Sequence, residues 1–96
     1  LLSIFILTIS CAKEIVKKSV INEKNLDDQV REAYLKGLES LEDGDVIFAA
    51  KKFNEVEILF PQSDLAPKSS LMAAYSYYTQ DYYEDTIMEL QRFLRI

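Results

Sequence analysis

Residues 37–59, GLESLEDGDVIFAAKKFNEVEIL, and residues 74–96, AYSYYTQDYYEDTIMELQRFLRI, decide the fold when one is laid over the other. A shift of 37 residues carries Gly37 onto Ala74, Leu38 onto Tyr75, Leu41 onto Tyr78, Val46 onto Tyr83, Phe53 onto Leu90, Val56 onto Phe93 and Leu59 onto Ile96. Every pair joins small with small, or apolar with apolar or aromatic. Self-similarity at a period of roughly 20–50 residues marks an array in which each unit buries its apolar face only against its neighbour. The alternative is an ordinary four-helix bundle, whose short-loop helix pairs share the same apolar spacing.

The pattern between these anchors is helical. Asn25, with Asp28 three residues on, suits an N-cap, and Val30, Ala33, Tyr34, Gly37, Leu38 and Leu41 then recur at three and four residues. Gly44 can take the left-handed conformation that ends such a helix, and Asp45 can cap the next. In that second helix Ile47, Phe48, Ala49, Ala50, Phe53, Val56, Leu59 and Phe60 cover a broad apolar arc before Pro61 stops it. Ser63 or Asp64 opens a third helix with Pro67 in its first turn, where the N–H groups lack intrahelical partners. Its apolar side is read as Leu71, Met72, Ala74, Tyr75 and Tyr78, and it ends near Gln80. Asp81 with Glu84 resembles a capping box for a fourth helix carrying Ile87, Leu90, Phe93, Leu94 and Ile96.

Composition narrows the chemistry. The 96 residues are 49% hydrophobic and 28% charged, which fits a globular chain, and they include no His, no Trp and one Cys. Cys/His zinc sites, His-based triads and disulfide frameworks are therefore excluded within this chain. No motif implies a metal or cofactor. Glu39, Glu42, Asp43 and Asp45 cluster at the first turn, but their spacing does not match a calcium loop, and caps plus a solvated face account for them. The net charge of −5 repels phosphate backbones and argues against a nucleic-acid partner. The basic cluster Lys13, Lys17 and Lys18 is broken by Glu14 and reads as a solvated tether.

The amino-terminal stretch is of another kind. LLSIFILTISCA, residues 1–12, carries no charge and is shorter than the ~20 residues a spanning helix needs. Its length suits the h-region of a secretory signal, and Ser10-Cys11 falls where processing would occur. The initiator Met and basic n-region of such a signal are absent, so the sequence reads as truncated at its start. Leu7-Thr8-Ile9-Ser10-Cys11-Ala12 resembles a bacterial lipobox, with Thr8 where Leu or Val is usual; in that motif the cysteine becomes the acylated first residue. The alternative for Cys11 is a lone buried thiol. Residues 13–25, KEIVKKSVINEKN, lack a sustained period and read as a tether.

The segments are thus a signal h-region over 1–10, a lipidated cysteine and tether over 11–25, a first helix-turn-helix repeat over 26–61 and a second over 62–96. Gly37, Ala49, Phe53 and Pro61, followed by Ala74, Leu90 and Phe93, lie at the spacing of the tetratricopeptide signature. The signature's Trp is missing, and Thr86 stands where it has Ala. More specifically, Phe60-Pro61-Gln62-Ser63, Ala66-Pro67, Leu71 to Tyr78 and Arg92-Phe93-Leu94-Arg95 resemble the first two repeats of the BamD family of outer-membrane β-barrel assembly lipoproteins.

The resemblance implies an all-α fold, helical hairpins stacked as a right-handed solenoid, and a non-enzymatic scaffold on the periplasmic face of a Gram-negative outer membrane. It implies BamA-like barrel protein and other assembly lipoproteins as partners, bound through repeats beyond Ile96, and recognition of unfolded outer-membrane proteins by their aromatic-ended C-terminal peptides. Groove positions of the repeat map to Arg31, Tyr34, Leu38, Lys68, Leu71, Tyr75 and Tyr78, a basic and aromatic set suited to a ring and a carboxylate. The same tyrosines, at helical spacing, also fit inter-repeat core. A second family reading is a periplasmic repeat adaptor of the cell-envelope coordination type, set apart by the lipobox-like Cys11 and by a tether without heptads. Two repeats fall below the ~3 such arrays need, so the isolated chain is expected to show partial helicity or aggregation, measured by circular dichroism and light scattering.

Overall fold

The computed structural model describes residues 25–95, which form four α-helices and no strand; Cys11, the signal and the tether lie outside the described residues. Helix α1 is helical over 25–42, α2 is Val46–Leu59, α3 is Leu65–Tyr78 and α4 is Tyr83–Arg95. Asn25 is already helical and is not the cap of α1. The fold is all-α and matches the helical-hairpin architecture expected from the repeat.

The two hairpin turns obey the same 37-residue shift as the apolar residues. After α1, the N–H of Gly44 bonds to the carbonyl of Leu41 at 3.1 Å and that of Asp45 to Ser40 at 2.9 Å, with Gly44 at φ 82°. After α3, the N–H of Asp81 bonds to Tyr78 at 3.1 Å and that of Tyr82 to Tyr77 at 3.1 Å, with Asp81 at φ 64°. Both are Schellman closures, which satisfy the last carbonyls of a helix through one left-handed residue. The capping-box reading of Asp81 is thereby corrected. It terminates α3, one of the few side chains short enough to tolerate that conformation, and its carboxylate accepts a bond from the Tyr83 hydroxyl at 3.0 Å. Asp45, by contrast, caps α2 as expected, accepting from the Phe48 N–H at 3.3 Å. At the start of α3 the Ser63 hydroxyl oxygen accepts the Leu65 N–H at 3.1 Å, while Asp64 makes no side-chain cap.

The core forms where α3 lies across α1 and α2. Phe53 is fully buried among Ala49, Ala50 and Ala73, with Tyr34, Leu38, Leu41, Met72 and Tyr77 packed around this cluster. The ring sits directly on Gly37: a Cβ there would lie 2.6 Å from Phe53 Cε1. Tyr34 meets the same ring edge-on at 5.5 Å between centroids. Since α2 supplies the bulk, α3 must supply little, and it turns inward Ala66, Ser69, Ser70, Ala73, Ala74 and Ser76. Of the face read from sequence, Ala74 is buried and Met72 packs on the core, while Leu71, Tyr75 and Tyr78 point away from it, as the groove reading and not the core reading expects. In α4 the buried residues are Thr86 and Glu89, while Ile87, Leu90 and Leu94 stay exposed.

Helices α2 and α4 are linked through long polar side chains. Asn54 donates to Glu89 Oε1 at 3.0 Å, and Arg92 pairs with Glu57 while its Nη1 lies 3.7 Å from Glu89 Oε2. Glu89 is only 6% exposed, so its charge is tolerable because Arg92 and the Asn54 amide face it.

Two substitutions test this account in urea melts of the chain. Gly37→Ala gains about 1 kcal/mol of helix propensity but drives a methyl into Phe53, and a net loss of ~1–2 kcal/mol is expected. Asp81→Gly relieves the left-handed residue and is expected to stabilise by about 0.5–1 kcal/mol. A stabilised Gly37→Ala would contradict the ring-on-glycine contact.

Candidate functional site

The residues singled out by sequence divide into three groups on the two hairpins. Arg31, exposed on α1, lies beside the α2–α3 connection and lines, with Asp27, Gln62, Ser63 and Asp64, a polar depression of ≈ 360 Å³. One turn further along α1, Tyr34 is half-buried, and the Lys68 ammonium of α3 stands over its ring, 5.6 Å from the centroid. Such an arrangement is a cation–π contact, worth roughly 0.5–1 kcal/mol where water reaches it. Leu38, a turn beyond, is half-buried against the Phe53 cluster.

Leu71, Tyr75 and Tyr78 form the third group, three exposed side chains on one face of α3. With Met72 and, from α4, Thr86 and Leu90, they line an apolar groove of ≈ 370 Å³. Thr86 contributes to an apolar wall because its hydroxyl donates to the Tyr82 carbonyl at 2.7 Å. Sequence reasoning gave the α3 side of this groove and missed the α4 side. Leu90 stands on the apolar side of α4 that the sequence indicates, and Thr86 is there only a departure from the expected Ala; the repeat itself carries the signal, since 49 and 86 correspond in the 37-residue shift.

Tyrosines crowd the turn between α3 and α4. Tyr77 packs edge-on against Tyr82 at 6.4 Å and Tyr78 meets Tyr83 at 6.4 Å. The Tyr77 phenol is pushed above its ordinary value of 10.0 first by burial, then by the charges of Glu89 and Asp85. Tyr83 is raised by the bond its hydroxyl donates to Asp81 and by that carboxylate's charge. Both phenols thus stay neutral near pH 7. For Tyr77 the sign of the linkage is that stability present below about pH 10 is lost as pH rises through its elevated value.

Among the described residues, no group of His, Cys, Asp and Glu could hold a metal ion. What the site offers is shape, aromatic area and the exposed cations Arg31 and Lys68 beside it.

Residues 26–96 match the model of the YfiO family, described as outer membrane lipoprotein. No curated protein and no solved structure matches the chain. The match spans both hairpins, from the start of α1 through α4, and covers the Phe53 core, the paired Schellman turns and the aromatic grooves alike. The chain therefore belongs to the YfiO family of outer membrane lipoproteins, the BamD-like tetratricopeptide group that its repeats resemble.

Proposed function

We propose that this protein is a lipid-anchored scaffold and substrate-recognition component of the outer-membrane β-barrel assembly complex, which assists insertion of outer-membrane proteins without catalysing a reaction. Cys11 carries the lipid and holds the hairpins at the periplasmic face of the outer membrane, and a BamA-like barrel protein and companion lipoproteins are its partners. Family membership supports the outer-membrane setting.

One observation carries the recognition role: the Lys68 ammonium, 5.6 Å above the Tyr34 ring, joins a cation and an aromatic surface across two helices. Arg31 stands one turn before Tyr34 on α1. An unfolded outer-membrane protein that ends in an aromatic residue presents a ring and a carboxylate a few ångströms apart. Its ring packs against Tyr34 and its carboxylate pairs with Lys68 or Arg31, a charge-assisted contact with exposed cations. The Lys68–Tyr34 contact then holds the aromatic face ready before the peptide arrives, which lowers the ordering cost of binding.

Two measurements examine this function. In Gram-negative cells, Cys11→Ser is expected to move the protein from the membrane fraction to the soluble periplasmic fraction, and unchanged fractionation removes the lipid anchor from the proposal. A labelled peptide ending in Phe with a free carboxylate is expected to crosslink to a photoreactive residue at Arg31. Deleting that Phe abolishes capture, and Lys68→Glu weakens binding about tenfold, some 1.4 kcal/mol. Capture that is indifferent to the terminal Phe rejects the targeting-peptide role.

A further inference from the structure

The seam between α2 and α4 is bridged along one part and open at the other. Asn54 donates to Glu89, and the Arg92 guanidinium pairs with Glu57 and lies beside Glu89. Toward the start of both helices no such bridge forms. There Ile47 of α2, Tyr77 of α3, and Tyr82 and Asp85 at the opening of α4 line a depression of ≈ 320 Å³. The acids Asp85 and Glu89 stand one turn apart on α4, yet only Glu89 has a cation. Asp85 is half-buried and enters no ion pair among the described residues. Lys51, one turn after Ile47 on α2, is exposed and pairs with no acid among them either.

The hairpin does not require this set of residues. At the 37-residue shift Tyr77, Tyr82 and Asp85 correspond to Ser40, Asp45 and Phe48, and the first turn closes through the same backbone bonds without the two rings. Tyr77 has a part in packing, since it lies against the Phe53 cluster. Tyr82 and Ile47, 42% and 63% exposed, stand clear of the core. The two rings meet edge-on, with 6.4 Å between centroids and 68° between planes. Burial raises the Tyr77 phenol first, but the charges of Glu89 and Asp85 add to it, so the field at this ring favours a positive guest.

We propose that the depression between Ile47, Tyr77, Tyr82 and Asp85 binds an arginine side chain of a partner protein. The guanidinium lies against the tyrosine rings and its N–H fork donates to the Asp85 carboxylate, while Ile47 covers the methylene stem. Arginine suits the site better than lysine because its planar, weakly hydrated head stacks on a ring and pairs with a carboxylate at the same time. Arg92 is the precedent within the chain. Further along the same seam, its guanidinium answers Glu57 and Glu89 between α2 and α4.

This site takes a charge opposite to the carboxylate proposed for Lys68 and Arg31, and it does not rest on that reading. The intact protein, labelled with fluorotyrosine, is titrated with N-acetyl-arginine amide and followed by fluorine NMR, with Tyr77→Phe and Tyr82→Phe assigning the two signals. Saturable movement of both signals is expected, with the Tyr75 signal unmoved. Asp85→Asn and Tyr82→Leu each weaken binding about fivefold, and the neutral isostere N-acetyl-citrulline amide binds about tenfold more weakly. Circular dichroism of both variants checks that the hairpins remain folded, and either variant alone decides the matter. The proposal is overturned by an absence of saturable shifts, by shifts that spread equally to Tyr75, by equal binding of the citrulline or lysine analogue, or by variants that bind as the parent does. Loss of Phe-peptide capture at Arg31 with arginine binding intact rejects the recognition role and leaves this site standing.

Discussion

The contact between the Phe53 ring and the bare backbone of Gly37 is the constraint from which the rest of this structure follows. A ring of that size, fully buried where three helices meet, needs a hole in one of them. Gly37 provides it in α1 and lets α1 and α2 close on each other. The same bulk dictates that α3 arrive with alanine and serine, so the small-residue face of α3 is the complement of Phe53. A larger residue on any of these faces would hold the helices apart and leave Tyr34 and Leu38 without the surface they pack on.

Polar groups fix what the apolar core leaves free. Helices α2 and α4 carry Asn54, Glu57, Glu89 and Arg92 at their adjoining faces, and these tie one hairpin to the next without close backbone packing. Such a bridge adds little net stability, since burying Glu89 costs much of what its partners return. It does select an angle between the hairpins, because the carboxylate must reach both the Asn54 amide and the Arg92 guanidinium. The orientation of α4, and with it the width of the groove it forms with α3, is therefore set partly by charge.

The function follows this division of labour. A chain with no histidine and one cysteine has few means of catalysis, and the described hairpins instead present surfaces of distinct kinds: a cationic and aromatic strip along α1 and α3, an apolar groove between α3 and α4, and a charged outer face on α1. Membership in an outer membrane lipoprotein family sets these surfaces at the outer membrane.

The amino-acid sequence by itself determined the four helices, the positions of their ends at Gly44 and Pro61, and the 37-residue repeat. These depend on local backbone preferences and on apolar spacing, both of which are written along the chain. It also fixed the absence of histidine and of a cysteine pair. Tertiary structure alone decided which apolar residues are core. Leu71, Tyr75 and Tyr78 have the spacing of a buried stripe, yet they face outward, because Phe53 admits only the serine and alanine face of α3 beneath it. Asp81 likewise has the sequence context of an N-cap and instead ends α3, since the Schellman closure there needs a left-handed residue and Asp81 occupies the place that Gly44 holds in the first hairpin. Periodicity identifies a face, but which of two faces is buried depends on the size of what lies opposite, and that residue is distant in sequence.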